Sequence, residues 1–240
     1  MMANTGLKHA RAVLMALGLS ALSVAAHADF IGLYAGVDGI YNHTSMNDNQ
    51  AGDDKFNAVY NLAFEHPVPF LPNVKLRYSD FSNTRNDYQS GIYFVDQDLE
   101  VNTLDAIAYY EILDNIISVD AGLGIKRLDV TNTLRSTVPA VNITLTNDDK
   151  QTLPALYLSA GGKLPFTGFS AKAEVMAGQN SDADFSDMNA EVKYNFIQNI
   201  ALDLGVKFGY RAMTINFDDS NSSFDKIEAK GPYVGLEAHF

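Results

Sequence analysis

From about residue 30 to the end, the chain alternates. Apolar side chains recur at every second position in segment after segment, the period of a strand with one apolar and one polar face. Leu33, Ala35, Val37 and Tyr41 oppose Asp38; Phe56, Ala58, Tyr60, Leu62 and Phe64 oppose Asn57, Asn61 and Glu65; Val74, Leu76 and Tyr78 oppose Lys75 and Arg77. Leu104, Ala106, Ala108, Tyr110 and Ile112 then oppose Asp105, Tyr109 and Glu111, and Val119, Ala121, Leu123 and Ile125 oppose Asp120, Gly122, Gly124 and Lys126. The same holds for Leu156, Leu158 and Ala160, for Ala171, Ala173, Val175 and Ala177, for Met188, Ala190, Val192 and Tyr194, and for Leu202, Leu204, Val206, Phe208 and Tyr210. In the last segment Pro232, Val234, Leu236, Ala238 and Phe240 share one face, and Tyr233, Gly235, Glu237 and His239 the other. The pattern predicts ten strands, over about 30–41, 55–65, 73–82, 99–112, 116–128, 152–164, 169–178, 186–196, 200–213 and 230–240.

Most of these segments hold the roughly 9–11 residues that a tilted strand needs to cross a hydrocarbon layer, about twice the usual length in soluble sheets. The links alternate too. Tight ones, Pro67 to Pro72, Leu113 to Asn115, Pro165 to Gly168 and Ile197 to Asn199, are separated by longer polar ones centred near Asp48, Asp87, Asn142, Asp182 and Ser220. Short turns at one end and long loops at the other suit a barrel that spans a membrane.

Composition narrows the picture. Beyond the N-terminus no run approaches the roughly 18 apolar residues of a membrane helix, although 47% of the residues are hydrophobic. Residues 1–28 read as a cleavable signal peptide: Lys8 and Arg11, an apolar run from Ala12 to Ala25, then Ala26-His27-Ala28 as the cleavage site. The expected domains are therefore a leader, 1–28, and a barrel, 29–240. Without the leader the net charge moves from -12 to about -14. Such an acidic chain offers no basic face to phosphates, which excludes nucleic acid as a partner. With no cysteine there is no disulfide or thiol nucleophile, and with no tryptophan any aromatic girdle falls to the 12 Tyr and 14 Phe.

Charges sort by face. The polar faces carry acids at Asp38, Glu65, Asp105, Glu111, Asp120, Glu174, Glu191, Asp203 and Glu237, and bases at Lys75, Arg77, Lys126, Lys163, Lys172, Lys193, Lys207 and Arg211. Near-matched numbers predict a lumen closed by paired charges, because a buried charge without a partner costs several kcal/mol. The excess acid falls on loops and upper strand ends: Asp53, Asp54, Asp96, Asp98, Asp148, Asp149, Asp182, Asp184, Asp187, Asp218, Asp219 and Asp225. No loop has calcium-loop spacing, and no zinc spacing, phosphate-binding Gly loop or Gly-x-Ser-x-Gly elbow occurs. No catalytic, cofactor or metal residue is assigned. His43 is the histidine expected at the loop end, and His66 and His239 fall at the turn end. Gly161-Gly162 reads as a close backbone approach, and the prolines at 67, 69 and 72 as a rigid turn.

An alternating last strand ending in Phe240 resembles the assembly signal of bacterial outer-membrane β-barrel proteins, carried here by Val234, Leu236 and Phe240. It departs from the usual pattern at Ala238, where a larger side chain is common. The resemblance covers the leader and the whole mature chain. It implies an all-β fold, a closed antiparallel up-and-down transmembrane barrel of about ten strands, in the outer membrane. The implied partners are outer-membrane lipid, including lipopolysaccharide, and the barrel assembly machinery acting through Phe240. The expected role is a non-enzymatic envelope protein serving structure or surface interaction, with little pore activity. Alternatives are a barrel enzyme acting on lipid or peptide, as in the omptin-type proteases of similar strand count; a narrow diffusion channel; and a soluble barrel with its faces inverted. On the face assignment, Ala106→Arg meets lipid and is costly, whereas Asn189→Arg faces the lumen and is milder.

Overall fold

A strand that is apolar on one face and ionic on the other leaves its backbone edges unpaired unless the sheet closes. The computed structural model, which describes residues 31–47, 49–50, 53–90, 93–137, 143–199, 201–218 and 225–240, closes it. The barrel strands are β1 (Gly32–Met46), β2 (Lys55–Glu65), β3 (Asn73–Ser90), β4 (Tyr93–Asp114), β5 (Ile117–Ser136), β6 (Thr144–Lys163), β7 (Phe169–Gln179), β8 (Ala183–Gln198), β9 (Asp203–Phe217) and β10 (Lys226–His239). Each pairs antiparallel with the next, and β10 returns to β1 in the register Tyr34↔His239 through Met46↔Ile227. Beyond β10, the backbones of Leu33 and Phe240 exchange hydrogen bonds at 3.1 and 3.0 Å, so the terminal residue helps seal the seam. A two-residue strand, Asn49–Gln50, folds back on the end of β1. The fold is a closed, ten-stranded, up-and-down antiparallel β-barrel.

The leader 1–28 with its site at Ala28, together with Phe30, Asp48, Asn142, Ile200, Asp219 and Ser220, lies outside the described residues.

The strands reach further at the loop end than the alternation predicts. β4 runs to 22 residues and β5 and β6 to 20 each, Asp87 belongs to β3, and the link near Asp182 is a three-residue turn. In that turn Asn180 Oδ1 accepts the amides of Asp182 and Ala183, both at 2.8 Å. The reason is a change of phase. In β5 the apolar positions are odd up to Ile125 and even from Leu128; in β9 they are even up to Ala212 and odd from Met213; in β10 they are odd at Ile227 and Ala229 and even from Pro232. Below the switch the outward face is apolar and the inward face mostly polar, with Ile40, Val59, Ile107 and Met176 buried on it as well. Above it Leu99, Val101, Leu128, Val130, Leu153, Met213, Ile215 and Ile227 point inward and are buried in one cluster, while Arg127, Asp129 and Arg135 point outward.

The barrel therefore has two storeys. The lower one is a wall for lipid around a mostly polar lumen, and the upper one encloses an oily core, as a soluble β-protein does. Ten further residues of β5, Arg127 to Ser136, carry it about 25 Å beyond the apolar belt, given about 3.3 Å per residue and a tilt of about 40°. β3 to β6 rise above their neighbours as a four-stranded sheet: β2 pairs with β3 only as far as Val59↔Ser79, and β7 with β6 only as far as Ala155↔Gly178. Segment 53–55 covers the β3 side, with Asp53 N bonded to Thr84 O at 3.1 Å and Lys55 Nζ to Thr84 Oγ1 at 2.7 Å.

The face assignment is testable. Ala106→Arg, in the outward belt of β4, lowers folded stability by roughly 2–4 kcal/mol in phospholipid vesicles. Thr131→Arg, outward in the upper storey, changes it by no more than about 0.5 kcal/mol in the same denaturant titration.

Candidate functional site

Small residues make room for charge inside the lower storey. A Cβ on Gly235 would collide with the Asp38 carboxylate, so glycine leaves space for Asp38 to take Lys207 Nζ at 2.9 Å. Gly161 likewise approaches Ser118 Oγ and the Ala171 carbonyl too closely for a side chain, as the sequence suggests. Inward-facing charges from eight strands fill the remaining space in two clusters.

The first cluster lies just beneath the phase switch. Lys126, wholly buried, donates to Asp105 at 2.6 Å and Asp187 at 3.1 Å. Arg211 embraces Asp187 with Nε at 2.9 Å and Nη2 at 2.7 Å, and its Nη1 crosses to Ser79 Oγ at 2.8 Å. Arg77 donates through Nε to Asp105 at 3.0 Å and reaches Glu174 and Asp187 at 3.5 and 3.6 Å. Glu174 also takes Lys75, Lys172 at 3.1 Å and the Tyr157 hydroxyl at 2.7 Å. These bonds join every strand from β3 to β9 across the lumen. The second cluster, nearer the turn end, links Lys207 to Asp38, Lys193 to Glu237 at 2.7 Å, and the Tyr233 hydroxyl to Glu191 at 2.6 Å. Between them is a cavity of about 20 Å³, lined in part by Asp38, Arg77, Asn189, Arg211 and Tyr233, with space for about one water.

The two storeys touch through cations on rings. Lys126 Nζ lies 5.0 Å from the Phe185 ring centre, and the Arg211 guanidinium lies 5.3 Å from that of Phe81.

Most inward charges fall where the alternation places them. Asp187 does not: assigned to the upper strand ends, it is buried on the inward face of β8 and binds Arg77, Lys126 and Arg211. The signal was parity, since Asp187 shares its phase with Asn189 and Glu191, but the phase switch beside it hides the face. Glu111 and Lys163 are exposed at the turn end, Glu111 beside a bulge in β4. Asn189 faces the lumen as the alternation places it, and lines the cavity beside the Arg77 and Arg211 guanidiniums.

His43 points outward on β1 at the level of the phase switch, opposite Lys230, with Nδ1 2.8 Å from Asp54 Oδ1. Sequence alone did not select Asp54 from among many acids. His66 organises its own turn: Nδ1 accepts Val68 N at 3.2 Å, and Nε2 lies 3.2 Å from the Pro72 carbonyl. His239 stacks on Tyr34 inside the lumen mouth, ring centres 4.0 Å apart. Among the described residues no three His, Asp or Glu side chains converge as metal ligands.

A ten-stranded closed barrel with an apolar wall, an ionic lumen and tight turns at the end that holds Gly32 and Phe240 has the architecture of the bacterial outer-membrane β-barrel proteins. No family model matches the chain, and no curated protein matches its sequence. Solved barrels resemble it at low identity. One is Ail, the attachment invasion locus protein of Yersinia pestis, solved with the heparin analogue sucrose octasulfate; it is 9% identical over 88% of this chain and 100% of that one, with a TM-score of 0.44. The beta domain of the Bordetella autotransporter BrkA is 11% identical over 88% and 99%, TM-score 0.45. The outer membrane protease OmpT from Escherichia coli is 10% identical over 89% and 97%, TM-score 0.40. Likenesses of this strength assign no role.

Proposed function

We propose that the protein is a non-enzymatic structural barrel of the bacterial outer membrane, which seals its own lumen and holds a β-sheet above the cell surface for interaction. The observation that carries the reading is the filling of the lumen at two successive levels. Wall-to-wall ion pairs occupy the lower storey, and a packed apolar core lies directly above them. An ion would have to break the first and desolvate completely in the second. The projecting sheet β3 to β6 supports the surface role, since its outer face is polar and mixed in charge. Outer-membrane lipid, including lipopolysaccharide, would surround the belt. The assembly machinery would read the strand that ends in Phe240.

Planar-bilayer recording tests the seal. Refolded protein, verified by its heat-shifted gel mobility, gives no stable conductance step above the bare bilayer. Large and lasting steps would overturn the closed lumen and favour a diffusion channel. A second reading rests on one contact: the exposed His43–Asp54 pair at the rim could serve as a general base in a surface hydrolase. The structural reading is preferred because it rests on the filling of the whole lumen, and the enzymatic one on a single exposed pair.

A further inference from the structure

A glycine in β10 brings together two side chains that the strand order keeps apart. Gly235 lies directly opposite Asp38 on β1 and directly opposite Lys207 on β9. With no side chain between them, the two meet over β10. Lys207 Nζ lies 2.9 Å from Asp38 Oδ1, and a Cβ on Gly235 would stand 1.9 Å from the same oxygen. Both residues are buried. An amine fixed against a carboxyl group out of water is a nucleophile fixed against an electrophile. Holding reacting groups in contact replaces an encounter in solution, with effective concentrations of roughly 10⁵–10⁸ M for well-oriented pairs.

The groups around the pair supply what condensation needs. Asn61 Nδ2 donates to Asp38 Oδ2 at 2.8 Å, the oxygen on which negative charge collects when an amine adds to the carboxyl carbon. Glu191 Oε2 stands 3.8 Å from Lys207 Nζ and takes a hydrogen bond from the neutral Tyr233 hydroxyl at 2.6 Å, so it can carry protons without giving up a cation. Glu237 Oε2 is as near, at 3.7 Å, but its other oxygen is tied to Lys193 at 2.7 Å. The one-water cavity is lined by Asp38 and Tyr233, and receives an oxygen leaving the carboxyl group. Lys126 is placed differently. Its two carboxylates, Asp105 and Asp187, are gripped by Arg77 and Arg211, which occupy the oxygens that would have to leave.

We propose that Lys207 and Asp38 condense to an isopeptide bond, which ties β9 to β1 over β10 and makes the seam of the barrel covalent. The Nζ–Cγ bond forms and the Cγ–Oδ1 bond breaks, while Asn61 holds Oδ2. Two of the three Nζ protons pass through Glu191 to Oδ1, which leaves as water, and the third stays on the amide nitrogen. The ammonium and carboxylate charges cancel, and no oxidant or reductant takes part. Each chain reacts once, as a step of its own maturation. A chain without cysteine thereby gains a covalent clasp where its first and last strands meet.

Intact mass spectrometry of the folded chain, selected by its heat-shifted gel mobility, tests the bond on the unaltered protein. The chain is lighter by one water than the sequence from its own N-terminus requires. Trypsin leaves it uncut at Lys207, and the peptide holding Asp38 branches from that lysine. Lys207→Arg keeps the positive charge but has no amine to condense, and has the full mass of its sequence. Glu191→Gln keeps the shape of the proton carrier without its function, and also has the full mass. Folded wild-type protein of full mass would overturn the bond and leave an ion pair. A water loss that persists in Lys207→Arg would overturn it too, because Asp38-Gly39 can close on its own backbone as a succinimide. A water loss that persists only in Glu191→Gln would keep the bond and overturn the proton path. The wild-type mass decides the bond even where a variant does not fold.

Discussion

Asp187→Ala destabilises the folded barrel by about 3–5 kcal/mol, although the residue lies among acids that appear on the sequence as a solvated run. The cost arises because Arg77, Lys126 and Arg211 all converge on this one carboxylate. Removing it leaves three buried cations to share Asp105 and Glu174 beneath an apolar layer that water does not enter. The measurement is denaturant unfolding in lipid vesicles followed by tyrosine fluorescence or gel mobility. Asp148→Ala, on the exposed outward face of β6, serves as the control and stays within about 0.5 kcal/mol. Equal effects at the two positions would mean that the lumen network does not hold the walls together.

Phe185→Ala removes the ring on which the upper core rests, and costs about 3–5 kcal/mol by cavity formation. Phe185 is 2% exposed and belongs to the cluster with Leu99, Leu128 and Ile215. It also loses the cation–ring contact from Lys126, the residue that binds Asp187 at 3.1 Å. The two substitutions are therefore coupled, and the double variant deviates from additivity by 0.5 kcal/mol or more, on the order expected for neighbours. Additive costs would show that the ionic and apolar storeys fold as separate layers. A cost below about 1 kcal/mol for Phe185→Ala would show that the upper storey is not packed against the lower one.

The wall was legible because lipid and lumen impose opposite demands on successive residues. Ala106 and Asp105, or Leu123 and Gly124, declare their faces by parity alone, and closure follows from the need to pair every backbone edge. The candidate site was legible in part. Near-equal numbers of inward acids and bases foretold a paired lumen, and both members of Lys207–Asp38 and Lys193–Glu237 were on the inward tally. Which acid met which base was not, because partners such as Arg211 and Ser79 lie 132 positions apart and only the curvature of the barrel brings them across the lumen. Asp54 as the partner of His43 was hidden for the same reason.

The upper storey went unread although its residues alternate as regularly as the rest. Leu128, Val130 and Asn132 continue the period of β5, but in the opposite phase to Ile117 through Ile125, so a reader following one face takes the change for the end of the strand. By itself the sequence determined the strand period, the sign of each face in the belt and the charge balance within, because these follow from local geometry and the solvents on either side. Only the tertiary structure decided that the wall continues past the belt with its faces exchanged and that Asp187 belongs at the centre. Whether an inward side chain meets an ion pair or an oily core depends on what the far wall supplies at the same height, which local pattern does not encode.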